Sequence, residues 1–383
     1  MTTSSSTKPT GAPTVAVTPV PLLDLKRQYL TIKDELDRAV LNVLDHGKFI
    51  LGPEVKELEA KIAEYSGCKY GIGVNSGTDA LILGLKSLGI GPGDEVITTS
   101  LSWIATANSI TLTGATPVFA DVQDDLNIDP RSVERLITDN TKALLPVHFN
   151  GKVCEMDELT TIAEKHNLKL IEDAAQAFSA RYKDNIAGSF GDVACFSMNP
   201  MKIFAGLGEA GMILTDSVEI KDRLHSLRYA GTVDREICVE PGYNSRLDTI
   251  QAAMLLKRFD RLDEVIEKRR EIANIYNEKL HDIVMTPVNS ESDGHVYYAY
   301  TILADDRDDL KEFLESEGIE TKIRHPVLMP QQPAYKENAR GEFSNAERVV
   351  AKILSLPIGE HLDRDDIDFV CSSISDFYQK YSN

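Results

Sequence analysis

From Tyr70 to Asp216 the hydrophobic positions fall into short runs separated by stretches of helical spacing. YGIGV, DEVITTS, TPVFADV, KALLPVHF and LKLIED read as strands. Between them, Thr78 to Leu88, Ile104 to Leu112 and Met156 to His166 carry the apolar repeat of helices. Such alternation predicts βαβ units and a largely parallel sheet, hence an α/β fold. ACFSM and AGMILTD add two further strands, close together. Upstream, Leu22 to Leu44 has helical spacing that puts Ile32, Leu36, Val40 and Leu44 on one face. A second helix is expected from Pro53 to Tyr65, with Pro53 in its first turn and Gly67 at its stop.

Downstream the order changes. Asp248 to Leu280 reads as one long charged helical stretch, amphipathic at its start through Leu247, Ile250, Ala253, Met254 and Lys257. YYAYTIL, a helix over Asp308 to Glu317, a loop through Pro326 and Pro330 and a last helix near Arg364 to Tyr378 predict a smaller α+β unit. The expected organisation is a disordered tail over 1–20, a large α/β domain over 21–268 and a small C-terminal α+β domain over 269–383. No internal repeat is visible.

Composition narrows the partners. The 383 residues are 42% hydrophobic and 26% charged, as in ordinary globular proteins. A net charge of −19 argues against nucleic acid, which requires a basic footprint. It leaves room for an anionic ligand at a locally positive site. The five cysteines are scattered and form no C-x-x-C pair, which removes support for zinc ribbons and redox motifs. They read as reduced thiols of a cytoplasmic protein, most of them small core residues. No apolar stretch reaches the roughly 20 residues that a membrane span needs. Met1 to Pro21 is rich in Ser, Thr and Pro without an apolar core, unlike a signal peptide.

Three stretches carry candidate chemistry. Asn75-Ser76-Gly77-Thr78-Asp79 follows a strand and opens a helix. A helix N-terminus offers free N–H groups and partial positive charge, and Gly77 permits close approach to the backbone. The same residues also suit a plain turn and N-cap. Asp173 ends the apolar strand LKLI, at the edge where open α/β sheets bind ligands. It suits a protonated ring nitrogen or a helix cap. Gln176 is read one helical turn further on. Lys202 lies between the strand ACFSM and the glycine-rich AGLGEAG. A lysine after a strand is ordinarily a solvated residue, whereas burial and neighbouring positive charge make one a Schiff-base nucleophile.

Taken in this order, these sites resemble the sugar aminotransferases of the DegT/DnrJ/EryC1/StrS group. The likeness runs from Pro21 to near the C-terminus. It is carried by PLLDLKRQY, FILGPEVKELE, NSGTDAL, GIGPGDEVIT, WIATANSI, GATPVFADV, LIEDAAQAF, FSMNPMK, GYNSRLDTIQAAML and SLPI. The resemblance implies the fold-type-I architecture of pyridoxal-phosphate enzymes, with a mostly parallel seven-stranded sheet between helices. It implies that Lys202 holds pyridoxal 5'-phosphate as a Schiff base and moves the proton. Asp173 would keep the pyridinium nitrogen protonated, and Gln176 would bond the ring hydroxyl. Ser197 with the N–H groups of Gly77 and Thr78 would take the phosphate, and Trp103 would cover the ring. A core role is the alternative for Trp103. Asn244 and Arg246 match positions supplied by a neighbouring subunit, which implies a homodimer with shared active sites. His325 matches a position near the sugar, or is an ordinary loop histidine. Phe49, Ile50 and Gly52 resemble an N-terminal active-site segment.

The implied reaction is ping-pong transfer of an amino group from glutamate to a nucleotide-linked keto sugar, in amino-sugar and polysaccharide biosynthesis. Asp79 tilts the reading toward 3-keto over 4-keto sugars. Ile203, where Asn is usual, and Ala210, where Gly is usual, would reshape the sugar pocket. Dehydratases of the group have histidine in place of the lysine, so Lys202 implies transamination. The rival readings are an aminotransferase on a cyclitol ketone, a cofactor-binding regulator without turnover, and a plain nucleotide-binding α/β domain.

Overall fold

The computed structural model of the chain describes residues 19–287 and 294–381. Seven strands form one sheet: β1 (Tyr70–Val74), β2 (Glu95–Thr99), β3 (Thr116–Ala120), β4 (Thr141–Leu145), β5 (Lys169–Asp173), β6 (Val193–Ser197) and β7 (Gly211–Thr215). Their spatial order is β1-β7-β6-β5-β4-β2-β3. Only β7 runs against its neighbours. The remaining pairs are parallel, so six strands point their C-terminal ends at one edge.

Both faces of this sheet are covered, which explains why the strands read as continuous apolar runs rather than alternating ones. Ile72, Val74, Val96, Ala143, Leu145, Ile171, Val193 and Ile213 are buried in one cluster. Their chain neighbours Ile97, Leu144, Leu170, Ala194, Phe196, Met212 and Leu214 are buried in another, on the opposite side.

The first helical stretch is two helices, Leu25–Thr31 and Lys33–His46, broken at Ile32 (φ −132°). Ile32 and Leu36 are buried, but Ala39 and Val43 complete the face and Leu44 is 51% exposed. Steps of four residues drift by about 40° each around a helix of 3.6 residues per turn, so Leu44 has rotated away from Ile32. The helix Pro53–Ser66 begins on its proline and ends at Gly67 (φ +73°), as its sequence predicts.

The long stretch after Asp248 is likewise two helices, Thr249–Phe259 and Leu262–Leu280. Arg261 (φ −116°, ψ 7°) leaves the helical region between them. Leu262 and Ile266 belong to the core beneath the large sheet. Ile272, Ala273, Tyr276 and Leu280 belong to a second core with Tyr300, Ile302, Leu354, Leu356 and Phe377. That core also holds an antiparallel pair, β8 (Tyr300–Leu303) with β9 (Ile353–Leu356). We propose the domain boundary on this helix between Ile266 and Ile272, which brackets Lys268.

Val20, which the expected tail included, is 2% exposed in the second core, and its N–H bonds to the Gly318 carbonyl at 2.9 Å. A branched apolar side chain with a pocket and a strand partner is ordered by both. The rest of the expected tail, residues 1–18, lies outside the described residues. All five cysteines are free; Cys154, Cys195 and Cys371 are buried, Cys68 is half-buried and Cys238 is exposed. Among the described residues no helix is long and apolar enough to cross a membrane.

Candidate active site

The C-terminal edge of the parallel strands opens on a cleft of about 760 Å³. Its walls include Gly77, Thr78, Trp103, Asp173, Gln176, Ser197, Lys202 and His325. Residues far apart in sequence are brought together because each follows the C-terminal end of a strand in the same sheet. Gly77 follows β1, Trp103 follows β2, Asp173 ends β5, Ser197 ends β6 and Lys202 lies in the loop beyond it.

Asp173 is 3% exposed. One carboxylate oxygen accepts from the Thr106 hydroxyl at 2.8 Å, the other from the Ala175 N–H at 3.2 Å. Burial pushes its carboxyl above the usual carboxylate range. Those two hydrogen bonds and the charges of Lys202 and His148 pull the other way. Among the described residues no cation makes a salt bridge with it, so a buried negative charge faces the cleft and favours a cationic ligand atom. Thr106 was invisible as a site residue in the sequence, although it lies inside WIATANSI.

The neighbouring Glu172 points to the other face of β5. It accepts the N–H groups of Gly188, Phe190 and Gly191 at 2.7, 2.8 and 2.9 Å and faces His148 at 3.0 Å. These bonds fix the strand end that carries Asp173.

The segment after Asp173 is not a helix but a series of turns. The Ala174 N–H is drawn to the Cys195 carbonyl across the sheet, which continues the ladder instead of starting a helix. Gln176 nevertheless reaches the cleft. Its side-chain oxygen accepts the Asn150 N–H at 2.9 Å, which fixes the orientation of the amide.

Helix Gly77–Ser87 starts directly at the cleft, with Ser76 accepting the Asp79 N–H at 3.1 Å as its N-cap. A side chain on Gly77 would put its Cβ 2.4 Å from the Ser197 Cβ. The glycine is therefore required to seat the helix N-terminus beside Ser197, and the cradle is built by that approach. Gly77→Ala should cost about 1–3 kcal/mol of stability as an overpacked contact. A denaturant midpoint equal to that of the unsubstituted protein would contradict this. Asp79 lies one turn back and does not line the cleft.

Lys202 is half-buried, and its Nζ lies 4.5 Å from the centre of the Tyr298 ring. Its loop is held by the Lys202 N–H on the Asn199 carbonyl at 2.9 Å and the Gly206 N–H on the Met198 carbonyl at 2.8 Å. Ile203 and Ala210 are buried in the core and do not line the cleft. They fill space beneath the loop, which corrects the expectation that they shape the pocket.

Trp103 is 63% exposed, which excludes the core role weighed for it. Its ring lies 6.2 Å from His325, whose backbone sits at φ +55°. Burial lowers the His325 pKa to about 4, helped by Arg324, Lys202 and Lys322, so the ring is neutral at neutral pH. Tyr298, Lys322 and Arg324 also line the cleft. None carried a recognisable motif.

Asn244 and Arg246 do not reach this cleft. Asn244 is exposed, and the Arg246 guanidinium bonds its side chain and stacks on Tyr229 at 4.7 Å. Phe49 and Ile50 are each 47% exposed. Gly52 bonds the Thr249 hydroxyl at 3.0 Å through its N–H, and these three residues likewise lie outside the cleft lining.

The arrangement offers an amine, a buried carboxylate, an amide and a helix N-terminus converging on one space. Comparison with known proteins gives this constellation its context. Residues 30–375 match the model of the DegT/DnrJ/EryC1/StrS aminotransferase family. A "pleiotropic regulatory protein" of Geobacillus stearothermophilus is 40% identical, covering 95% of this chain and all of that one. The dTDP-3-amino-3,4,6-trideoxy-alpha-D-glucose transaminase of Streptomyces venezuelae is 40% identical over 94% of this chain and 97% of its own. The crystal structure of S. venezuelae DesV in complex with a ketimine intermediate superposes with a TM-score of 0.91 at 40% identity, covering 94% of this chain and 98% of that one. The aminotransferases of this family depend on pyridoxal 5'-phosphate. The chain belongs to the DegT/DnrJ/EryC1/StrS aminotransferase family, with the α/β fold of its pyridoxal-phosphate enzymes.

Proposed function

We propose that this enzyme transfers the amino group of glutamate to a nucleotide-linked keto sugar, at carbon 3, in amino-sugar biosynthesis. The observation that carries the aminotransfer chemistry is one cleft lined by both the half-buried Lys202 amine and the buried Asp173 carboxylate, which has no salt-bridge partner among the described residues. The carbon-3 reading draws on the name of the S. venezuelae relative. Asp79 lends it no support, since it stands outside the cleft.

The residues present fit pyridoxal 5'-phosphate. The cofactor, when bound, supplies an electron sink for the carbon next to the transferred nitrogen. Asp173 meets the need of a protonated ring nitrogen, and that cation offsets the cost of its own burial. Ser197 and the N–H groups of Gly77 and Thr78 provide the phosphate cradle. The oriented Gln176 amide would bond the ring hydroxyl, and the exposed Trp103 would cover the ring. Lys202 provides the amine that fixes the cofactor and then the base that takes and returns a proton at the reacting carbon.

The reaction is tested by supplying the holoenzyme with glutamate and a panel of dTDP- and UDP-linked 3-keto and 4-keto sugars, with keto cyclitols as the rival class. Amino-sugar product with 3-keto substrates is expected. Turnover of cyclitols alone overturns the sugar assignment, and glutamate-dependent turnover of none favours the regulator reading that the Geobacillus relative's name suggests.

We also propose a homodimer in which Asn244 and Arg246 serve the partner's cleft. Supporting this, both stand away from their own cleft, next to a hairpin that exposes Val233, Ile237 and Val239. Apolar side chains grouped on a surface mark an interface. A hybrid of a Lys202→Ala chain with an Asn244→Ala/Arg246→Ala chain should then regain one intact site, about half the wild-type rate. A hybrid no more active than its two parent homodimers would contradict shared sites. The five free cysteines support our further reading of a cytoplasmic location.

A further inference from the structure

Resting on the aminotransfer reading, we propose that Arg324 is the carboxylate anchor of the amino-acid donor, with Lys322 beside it for a second carboxylate. Arg324 and Lys322 lie two residues apart on one loop, and both line the cleft that holds Lys202. The guanidinium lies 4.9 Å from the centre of the Tyr298 ring, on which the Lys202 amine stands at 4.5 Å. The two groups are thus held against one ring. Both cations therefore line the same cleft beside Tyr298, so a substrate held at Lys202 has Arg324 on the wall next to it.

Arg324 is poorly satisfied by the protein itself. Among the described residues its side chain makes one hydrogen bond, from Nη1 to the Tyr298 hydroxyl at 3.3 Å. Its Nε is buried without a partner. Among the described residues it makes no salt bridge with a carboxylate, and neither does Lys322. Two carboxylates also line the cleft, Asp173 bonded by the Thr106 hydroxyl and Glu209 by the Asn199 amide at 2.8 Å, and among the described residues neither makes a salt bridge with Arg324 or Lys322. A planar guanidinium with free donors in a partly desolvated cleft matches a carboxylate in the two-pronged mode.

The nearby titratable groups register the same uncompensated charge. Burial alone would raise the Tyr298 pKa, but Lys202 and Arg324 more than offset it and bring it to about 8. The excess positive charge on this wall is what an amino acid with two carboxylates would neutralise. A keto sugar offers no carboxylate at its reacting carbon. The sugar's nucleotide phosphates are the competing anion, and the test separates the two.

The experiment is calorimetric binding to the holoenzyme, with glutarate as the dicarboxylate probe, butyrate as the monocarboxylate and UDP and dTDP as the phosphate probes. Arg324→Gln should weaken glutarate and butyrate by roughly 10- to 100-fold, the loss of a charge-assisted pair. It should leave UDP and dTDP within about threefold. Lys322→Gln should weaken glutarate alone. Arg324→Lys should recover part of the affinity, since the charge remains and the fork does not. Weakened UDP or dTDP with unchanged glutarate would assign the wall to the nucleotide and overturn the proposal, as would unchanged binding of all four probes. Because glutarate is not turned over, this outcome is separate from the donor assignment, which fails only if glutamate leaves the wild-type holoenzyme spectrum unchanged.

Discussion

Lys202→Ala should lower kcat by at least about 10³-fold while leaving the fold intact, because general acid–base work alone is worth 10²–10⁴ and the nucleophile is lost with it. The loop does not depend on the side chain. Backbone bonds at Asn199 and Met198 hold it, and the Gln251 side chain accepts the Leu207 N–H at 3.0 Å. The lost rate is therefore chemical rather than structural. Lys202→Arg separates charge from chemistry. It keeps a cation near Tyr298 but has no amine able to release a proton at ordinary pH, so it should be as inactive as the alanine variant. Borohydride should fix the cofactor covalently to the wild type and to neither variant. Thermal unfolding of all three should coincide within a few degrees. A Lys202→Ala enzyme retaining a tenth of wild-type kcat would remove this lysine from the mechanism.

Asp173→Asn has the second-largest expected effect, and it separates stability from activity. The carboxylate's bond to a charged ring nitrogen is worth roughly 1.5–3 kcal/mol, so kcat should fall by about 10- to 150-fold. The protein without cofactor should not be destabilised. The folded carboxyl titrates above its unfolded value, because burial disfavours the charge. Below the unfolded value this costs nothing. As pH rises through the folded pKa the penalty appears and remains. At neutral pH the cofactor-free Asn variant should thus unfold at or above the wild-type temperature, and the difference should vanish in acid. With cofactor bound the order should reverse, since the wild type gains the ion pair. A variant of wild-type activity, or one destabilised without cofactor, would show Asp173 to be a structural residue.

Much of the fold was legible because a doubly covered parallel sheet writes itself plainly. β1 to β7 are apolar runs bounded by turn residues, and each was found at its place. What escaped followed from geometry that a linear pattern does not carry. The four-residue spacing from Ile32 to Leu44 hides a steady rotation, so Leu44 was placed on the wrong face and Val43 overlooked. The break at Arg261 has neither glycine nor proline to announce it. The helices Pro130–Leu136 and Ser344–Val350, at seven residues each, are too short for a period to stand out.

The site divides in the same way. Lys202, Asp173, Gln176, Ser197 and Gly77 lie in motifs and converge on the cleft. Thr106, Tyr298 and Arg324 gain their meaning only from what folding places beside them: a carboxylate, a lysine and an open cleft. Gln176 lines the cleft, but a turn rather than the expected helix delivers it. Gly77 was read as room for a ligand, and it is first of all room for Ser197.

The most direct test of the central claim is the visible absorbance spectrum of the purified holoenzyme before and after glutamate, with Lys202→Ala alongside. The wild type should be yellow and bleach on adding glutamate, and the variant should lack that lysine-dependent band. A protein that stays colourless when given pyridoxal 5'-phosphate would contradict it.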